Sequence, residues 1–475
     1  MTQPPKTPPS TRATASACLL LLAAGGARAQ TTTADEPPQP WRLNEALGLP
    51  DWISIRGQQR TRYASHDGQF RANFNGNDEV FEYRTAIEAT LRFEPLEVVA
   101  EGMDSRQSLA DSSTPINNTV VNALELLQGY VAYRQRNVLE DDDELFVLAG
   151  RHTMNVGKRR LVARNNYRNT INNFTGINAV WNSAQGHHAR AFWVLPVERL
   201  PTGRQALLDN RPAFDEERIE NQFIGAFLTI ADLIDNTELD VGAFGLMERD
   251  SPDQATRNRR LFTATMRLFR EHQAGAYDFE FETAIQTGRS RASSSGADTD
   301  DLNHLAHFQH AEVGYTFETR WTPRLALQFD YASGDTSPND NENNRYDTIF
   351  GSRRFDFGPA STFGAFARSN LISPGYRITF RPHEAVSVMI AHRFYWLASA
   401  RDAWTTSGVV DPTGNAGRYV GTLPELRVRW DAFPGNLRIE GGLAKLFVGD
   451  FVDDAPNANG EGDATYGYVQ TILTF

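Results

Sequence analysis

The sequence predicts an all-β protein, a transmembrane antiparallel β-barrel of about 18 strands with periplasmic termini. Three observations carry this expectation. Segments of about ten residues with period-two alternation recur from Trp52 onward. No apolar run is long enough for a spanning helix. Short connections take turns with long polar ones, as periplasmic turns do with external loops.

Residues 17–27 are apolar, follow Lys6 and Arg12, and end on Ala27-Arg28-Ala29, the charged, apolar, small-x-small order of a secretory signal. Residues 1–29 are therefore read as a signal peptide, with the mature protein beginning at Gln30. Cys18, the one cysteine, would leave with it, so neither disulfides nor thiolate metal sites are expected in the product. The apolar stretch follows Cys18 instead of preceding it, which argues against a lipoprotein. Residues 30–51 form a periplasmic N-terminal segment too short for a globular plug, and residues 52–475 the outer-membrane barrel.

Within the barrel, Tyr277, Phe279, Phe281, Thr283 and Ile285 alternate with Asp278, Glu280, Glu282, Ala284 and Gln286. One face suits lipid and the other water. Leu239, Val241, Ala243, Gly245 and Met247 alternate likewise with Glu238, Asp240, Gly242 and Phe244. The pattern returns in Leu325, Leu327, Phe329 and Tyr331 against Gln328 and Asp330, and in Leu426, Val428 and Trp430 against Arg427 and Arg429. The segment 467–474 ending on Phe475 resembles the terminal strand that the barrel-assembly machinery recognises. Short turns are expected at 94–95, 232–236, 272–275, 320–323, 382–385 and 433–435. Long loops are expected at 106–121, 153–173, 196–218, 289–306, 334–368, 399–420 and 449–463. A barrel of this size holds a water-filled lumen unless something fills it.

The chain carries a net charge of −12, and of its 47 basic residues only Lys6, Lys158 and Lys445 are lysines. An arginine facing lipid near the bilayer midplane costs roughly 2–4 kcal/mol, so arginines in phase with acidic or amide neighbours are expected to point inward. These are Arg56, Arg60, Arg62, Arg84, Arg92, Arg134 and Arg151 toward one end of the chain, and Arg377, Arg381, Arg393, Arg427, Arg429 and Arg438 toward the other. Middle strands contribute Glu238, Asp240, Asp278, Glu280, Glu282 and Asp330. Closing the barrel joins the two arginine-rich ends into a basic wall facing an acidic one. Guanidinium groups match carboxylates with paired hydrogen bonds, so that wall would favour a carboxylate-bearing solute. The competing reading is an interior of both signs whose arginines bond their neighbours, with Glu82, Glu88, Glu97, Glu101 and Glu440 blunting the field.

Gly150-Arg151-His152, Gly157-Lys158-Arg159-Arg160-Leu161-Val162, Arg168-Asn169-Thr170 and Phe174-x-Gly176 together resemble the alginate export family of bacterial outer-membrane β-barrel proteins. Ala332-Ser333-Gly334-Asp335, Asn370-Leu371, Phe394-Tyr395-Trp396-Leu397-Ala398 with Asp402-Ala403, and Gly441-Gly442 with Phe447 and Gly449 extend the likeness in order. The resemblance implies an eighteen-stranded barrel whose basic lumen passes an anionic polysaccharide or a smaller anion. Departures are His152 for a glutamine, Tyr167 for a tryptophan, Asn172 for an arginine and Thr175 for an aspartate. After Asp335 the chain reads Tyr346-Asp347-Thr348-Ile349-Phe350-Gly351 in place of Phe-x-x-Leu-Phe-Pro, and residues 124–130 lack an arginine that alginate exporters tend to have.

Other chemistries find less support. Residues 140–144 are acidic and could chelate calcium, but they read as a solvated periplasmic turn. His304, His307 and His310 step by three, which alternates strand faces and precludes one metal site. His187-His188 reads as an exposed tight turn. A hydrolase would need a serine-centred motif near a histidine, and a nucleotide or zinc enzyme its own signature; neither is present. A filled structural anchor would need an inward loop, for which 334–368 is the candidate. The expectation is therefore a non-enzymatic, anion-selective outer-membrane channel, with loops 153–173 and 334–368 shaping its constriction. Its lumen residues would be Arg60, Arg84, Arg92, Arg134, Arg151, Arg159, Arg160, Arg168, Arg377, Arg381, Arg427 and Arg429. A general or small-anion porin is the alternative. Expected partners are outer-membrane lipid, an anionic polysaccharide or small anionic solute, the assembly machinery and, for an exporter, a periplasmic complex. No cofactor, metal or nucleic acid is expected.

Overall fold

A computed structural model describes residues 39–111 and 113–475; the signal expected over 1–29 lies outside the described residues. Eighteen strands form the barrel. The first six are β1 (Ile53–Asp67), β2 (Asp78–Phe93), β3 (Leu96–Ser108), β4 (Asn122–Arg136), β5 (Glu144–His152) and β6 (Phe174–Asn182). Then come β7 (His188–Glu198), β8 (Asn221–Ile234), β9 (Thr237–Glu248), β10 (Arg260–Arg270), β11 (Tyr277–Ser290) and β12 (Leu302–Thr316). The last are β13 (Arg324–Ala332), β14 (Leu371–His383), β15 (Val386–Trp396), β16 (Tyr419–Phe433), β17 (Leu437–Val448) and β18 (Ala464–Thr474). Each pairs antiparallel with its sequence neighbours, and β18 closes the ring on β1 from Gln58↔Thr474 to Asp67↔Thr465. Closure leaves no open edge, the condition for a sheet to stand in lipid.

Alternation sorts the side chains as the pleat requires. Val98, Ile177, Val241, Met266, Ile285, Leu327, Leu426 and Val469 are exposed on the outer face. On the intervening positions Asp240, Asp278, Glu280, Glu282, Gln328 and Asp330 are buried within the barrel. Aromatic pairs sit near the strand ends at the short turns, among them Trp52–Phe93 at 5.5 Å and Tyr277–Tyr315 at 4.7 Å between ring centroids. That is the amphipathic girdle of a membrane interface.

Several strands run further than the alternation suggested. β3 continues to Ser108 and β11 to Ser290, shortening the loops placed over 106–121 and 289–306. Two further external connections, 68–77 and 249–259, add to the long loops expected from the sequence. Ladder hydrogen bonding continues past the apolar band, where polar residues carry no outward signal of a strand. The acidic residues 140–144 lie at the β4–β5 turn and the start of β5. Burial acts to raise the Asp143 carboxyl, but hydrogen bonds from the Trp181 indole and the backbone amides of Leu139, Val138 and Glu140 hold it at about 2. Both its oxygens are occupied by the turn itself.

At the seam the terminal ring occupies the space left by a missing side chain. Gly57 and Phe475 exchange backbone hydrogen bonds of 2.8 and 2.9 Å, and a Cβ on Gly57 would lie 2.1 Å from the Phe475 ring. Gly57→Val is expected to expel the terminal ring and cost about 1–3 kcal/mol, the usual penalty of overpacking. A lower temperature of unfolding, read from heat-dependent gel mobility, would show it; an unchanged midpoint would mean that Phe475 reseats freely.

Candidate functional site: two loops held across the barrel interior

The interior is crossed by loop 153–173, tied to opposite walls. At one end Arg160 donates to Glu282 at 2.6 Å, to Asp356 at 2.9 Å and to Glu280, with Lys158 3.3 Å from Glu280. Glu280 and Glu282 stand on β11, half-way round the ring from β2. At the other end the loop's carbonyls take the arginines of β1 and β2. Arg60 donates to the carbonyls of Asn166 and Tyr167 at 2.9 Å, Arg62 to Tyr167 at 2.8 Å, and Arg84 to Asn166 and Arg168 at 3.1 Å. Asn169 bonds the carbonyls of Tyr83, Arg106 and Val120, fixing the loop to β2 and β3.

Loop 333–370 folds inward onto it. Phe350 accepts from the Ala163 amide at 3.2 Å and donates to the Leu161 carbonyl at 3.0 Å; Ser352 donates to the Arg159 carbonyl at 2.9 Å. At Gly351 a Cβ would meet the Arg160 carbonyl oxygen at 1.8 Å, so the loops approach this closely only with glycine there. Phe350 packs against Phe174 and Phe223 at 5.2 and 5.1 Å, while Phe366 stacks on Tyr395 at 3.4 Å. The short helix Arg354–Phe357 presents Asp356 to Arg160 and Arg368, and Arg354 to Glu425 at 2.7 Å. Asn370 bonds the carbonyls of Ser399 and Ala403, and Asp402 takes the Asp335 amide and the Arg345 guanidinium, so a third external loop braces the second. The interior toward the external side is thus packed with side chains, many of them aromatic.

The predicted lumen arginines divide by their partners. Arg60 and Arg84 clamp loop 153–173, and Arg160 anchors it to the acidic wall. Arg151 holds Glu125 at 2.5 Å and Glu217 at 2.8 Å. Arg92 pairs with Glu97 at 3.2 Å and Arg134 with Glu144 at 2.6 Å, both near the periplasmic rim. Arg429 pairs with Glu440. Arg159 lies over the Phe355 ring at 5.5 Å, while Arg168 donates to Asn172 and Arg377 to the Phe355 carbonyl. Arg381 and Arg427 have no side-chain hydrogen bond or ion pair among the described residues and line one cavity of about 390 Å³ with Arg324.

Interior acids are matched more completely than interior arginines. Glu82, Glu101, Asp240, Asp278, Glu312, Asp330 and Glu425 all hold a guanidinium within 3.1 Å. Among the described residues Arg84, Arg168, Arg190, Arg199 and Arg377 reach only carbonyl or amide oxygens. Arg353, outside the set of arginines expected to line the lumen, has no such partner among the described residues. Its neighbour Arg354 is paired, and adjacency in sequence offers no sign of which is which. Glu238, Asp215 and Asp335 have no ion pair among the described residues.

His304 and His310 point inward and His307 outward against Tyr331, at 5.0 Å. His310 Nδ1 is 2.8 Å from Asp330, and Asp356 completes a group whose ligand atoms lie within 4.8 Å of one another. Arg393, Arg160 and Arg368 already occupy those two carboxylates, so the group does not fit a cation.

The barrel is similar in fold to the outer-membrane protein OpdK of Pseudomonas aeruginosa, with 11% identity, 89% of this chain and 98% of that chain covered, and a TM-score of 0.55. OccAB1 of Acinetobacter baumannii matches at 10% identity, 90% and 97% coverage and 0.54. OccK2 of Pseudomonas aeruginosa, solved in complex with glucuronate, matches at 13%, 89% and 96%, and 0.55. No curated protein matches in sequence. The family model described as alginate export matches residues 51–464, nearly the whole barrel. With its closed ring of eighteen strands, the chain belongs to the alginate export family of bacterial outer-membrane β-barrels.

Proposed function

We propose that this outer-membrane channel prefers anions and conducts small carboxylate-bearing solutes past the two crossing loops. The imbalance between matched acids and unmatched arginines carries the reading. A carboxylate entering the interior finds guanidinium groups without a carboxylate, and a cation finds most of the carboxylates already taken. The crossed interior favours a small solute, because a polymer would require both loops to leave their ties. The complex of OccK2 with glucuronate supports the same chemistry in a barrel of like fold. Passage of a uronate polymer is the second reading, favoured by membership of the alginate export family; it would call for a periplasmic synthesis complex, which a lone channel would not.

The deciding measurement is the reversal potential of the purified protein in a planar bilayer under a salt gradient, with and without added oligo-uronate. Anion preference is expected, falling at least twofold in the double variant Arg168→Gln, Arg353→Gln. Cation preference in the wild type would overturn the proposal, and block by long oligo-uronates that also cross the bilayer would favour the polymer.

Loop anchorage gives a separate expectation. Arg160→Gln leaves Glu280, Glu282 and Asp356 without their shared cation, and removing one partner of a buried pair typically costs about 3–5 kcal/mol. Single-channel conductance is expected to rise several-fold as loop 153–173 loosens. Gly351→Val, which forces the two loops apart at the Arg160 carbonyl, should act in the same direction. Unchanged conductance in both variants would mean that the loops do not limit passage.

A further inference from the structure

A second pocket lies at the external ends of β11 and β12, between loops 249–259, 333–370 and 397–418. Its volume is about 340 Å³, at the lower end of the roughly 300–1,000 Å³ typical of small-molecule sites. None of the residues that define it belongs to the lumen arginines described above. Arg257, His304, Tyr346, Ser369 and Thr405 face it, with Asp347 the only acid in the lining.

Two features mark it as a built site. His304 and Tyr346 are nearly fully buried, at 4% and 1% exposure, yet His304 Nε2 and the Tyr346 hydroxyl have no hydrogen-bond partner among the described residues. A buried polar group left unmatched costs on the order of 1–3 kcal/mol, so each calls for a ligand atom. The second feature is spare charge. Arg259 is held by Glu248 at 2.8 Å and Asp347 at 3.0 Å, and Arg345 by Asp402. Arg257 pairs with Asp347 through Nη1 only at 4.0 Å and spends its Nε on the Arg291 carbonyl, leaving its other terminal nitrogen without a hydrogen-bond partner among the described residues.

We infer that this pocket binds a sugar acid from the external side, its carboxylate on Arg257 and its hydroxyl groups against His304, Tyr346, Ser369 and Thr405. One guanidinium with a spare edge suits one carboxylate. The pocket is too roomy for a bare ion and carries the mixed donors and acceptors that ring hydroxyls need. The inference rests on the reading of the channel as one for carboxylate solutes, and places their capture ahead of the crossing loops. A free uronate and the end of a uronate chain present the same chemistry.

The test is calorimetric titration of the detergent-solubilised full chain with galacturonate, trigalacturonate and neutral galactose. Saturable binding of galacturonate but not galactose is expected, weakened at least tenfold by Arg257→Gln and by His304→Gln. Arg257 is partly exposed, so its variant should keep the barrel, which heat-dependent gel mobility verifies. Saturation by the trimer alone would assign the site to a chain end. No saturable binding of either acid, or binding indifferent to both substitutions, would overturn the pocket. Anion preference in the bilayer experiment, measured on the same preparation, tests the channel reading independently.

Discussion

The salt bridge between Arg160 and the acids Glu280, Glu282 and Asp356 is the constraint on which the interior depends. Three carboxylates brought together without a cation would repel one another in a buried setting. One guanidinium, with Lys158 beside Glu280, joins a barrel strand, one crossing loop and the helix of the other. Coulomb attraction draws loop 153–173 to the acidic wall, and its carbonyls then satisfy the arginines of β1 and β2. The two walls therefore do not face each other as a bare transverse field. They are bridged by a segment that is cationic at one end and offers backbone oxygens at the other.

That bridging explains why the family-like residues fall where they do. Asn169 and Asn370 each fix a loop through backbone carbonyls, and Asp402 ties the third loop to the second, while Gly351, in a segment that departs from the family pattern, lets the loops touch. The motif residues act chiefly as fasteners. Asn172, standing where the family has an arginine, accepts from Arg168 and Arg199 and donates to the Ala163 carbonyl. An arginine there would add a third cation beside two that already lack a carboxylate, so the amide lets Arg168 and Arg199 remain close together.

The membrane imposes the other half of the design. In lipid every backbone donor and acceptor needs a partner, which a closed ring supplies and an open sheet does not. Polar positions are then confined to the inside, where packed loops replace much of the water a barrel of this width would otherwise hold. Phe223, Phe350, Phe366 and Tyr395 make this interior an apolar core as well as a charged one, and the core fixes the loops that bear Arg168 and Arg353.

Strand number, the sorting of faces and the inward direction of arginines such as Arg60, Arg84 and Arg427 were legible in the sequence. Each follows from a local rule: a period of two, and the cost of placing charge in lipid. Strand ends beyond the apolar band were less legible, because polar residues there pair without any outward apolar signal. Which arginines remain free was decided by the tertiary structure alone. Arg353 and Arg354 are adjacent and chemically identical, yet only Arg354 meets an acid, Glu425, contributed by β16. Pairing depends on which distant strand closes beside a loop, and that is a property of the closed ring and its folded loops, not of neighbouring residues along the chain.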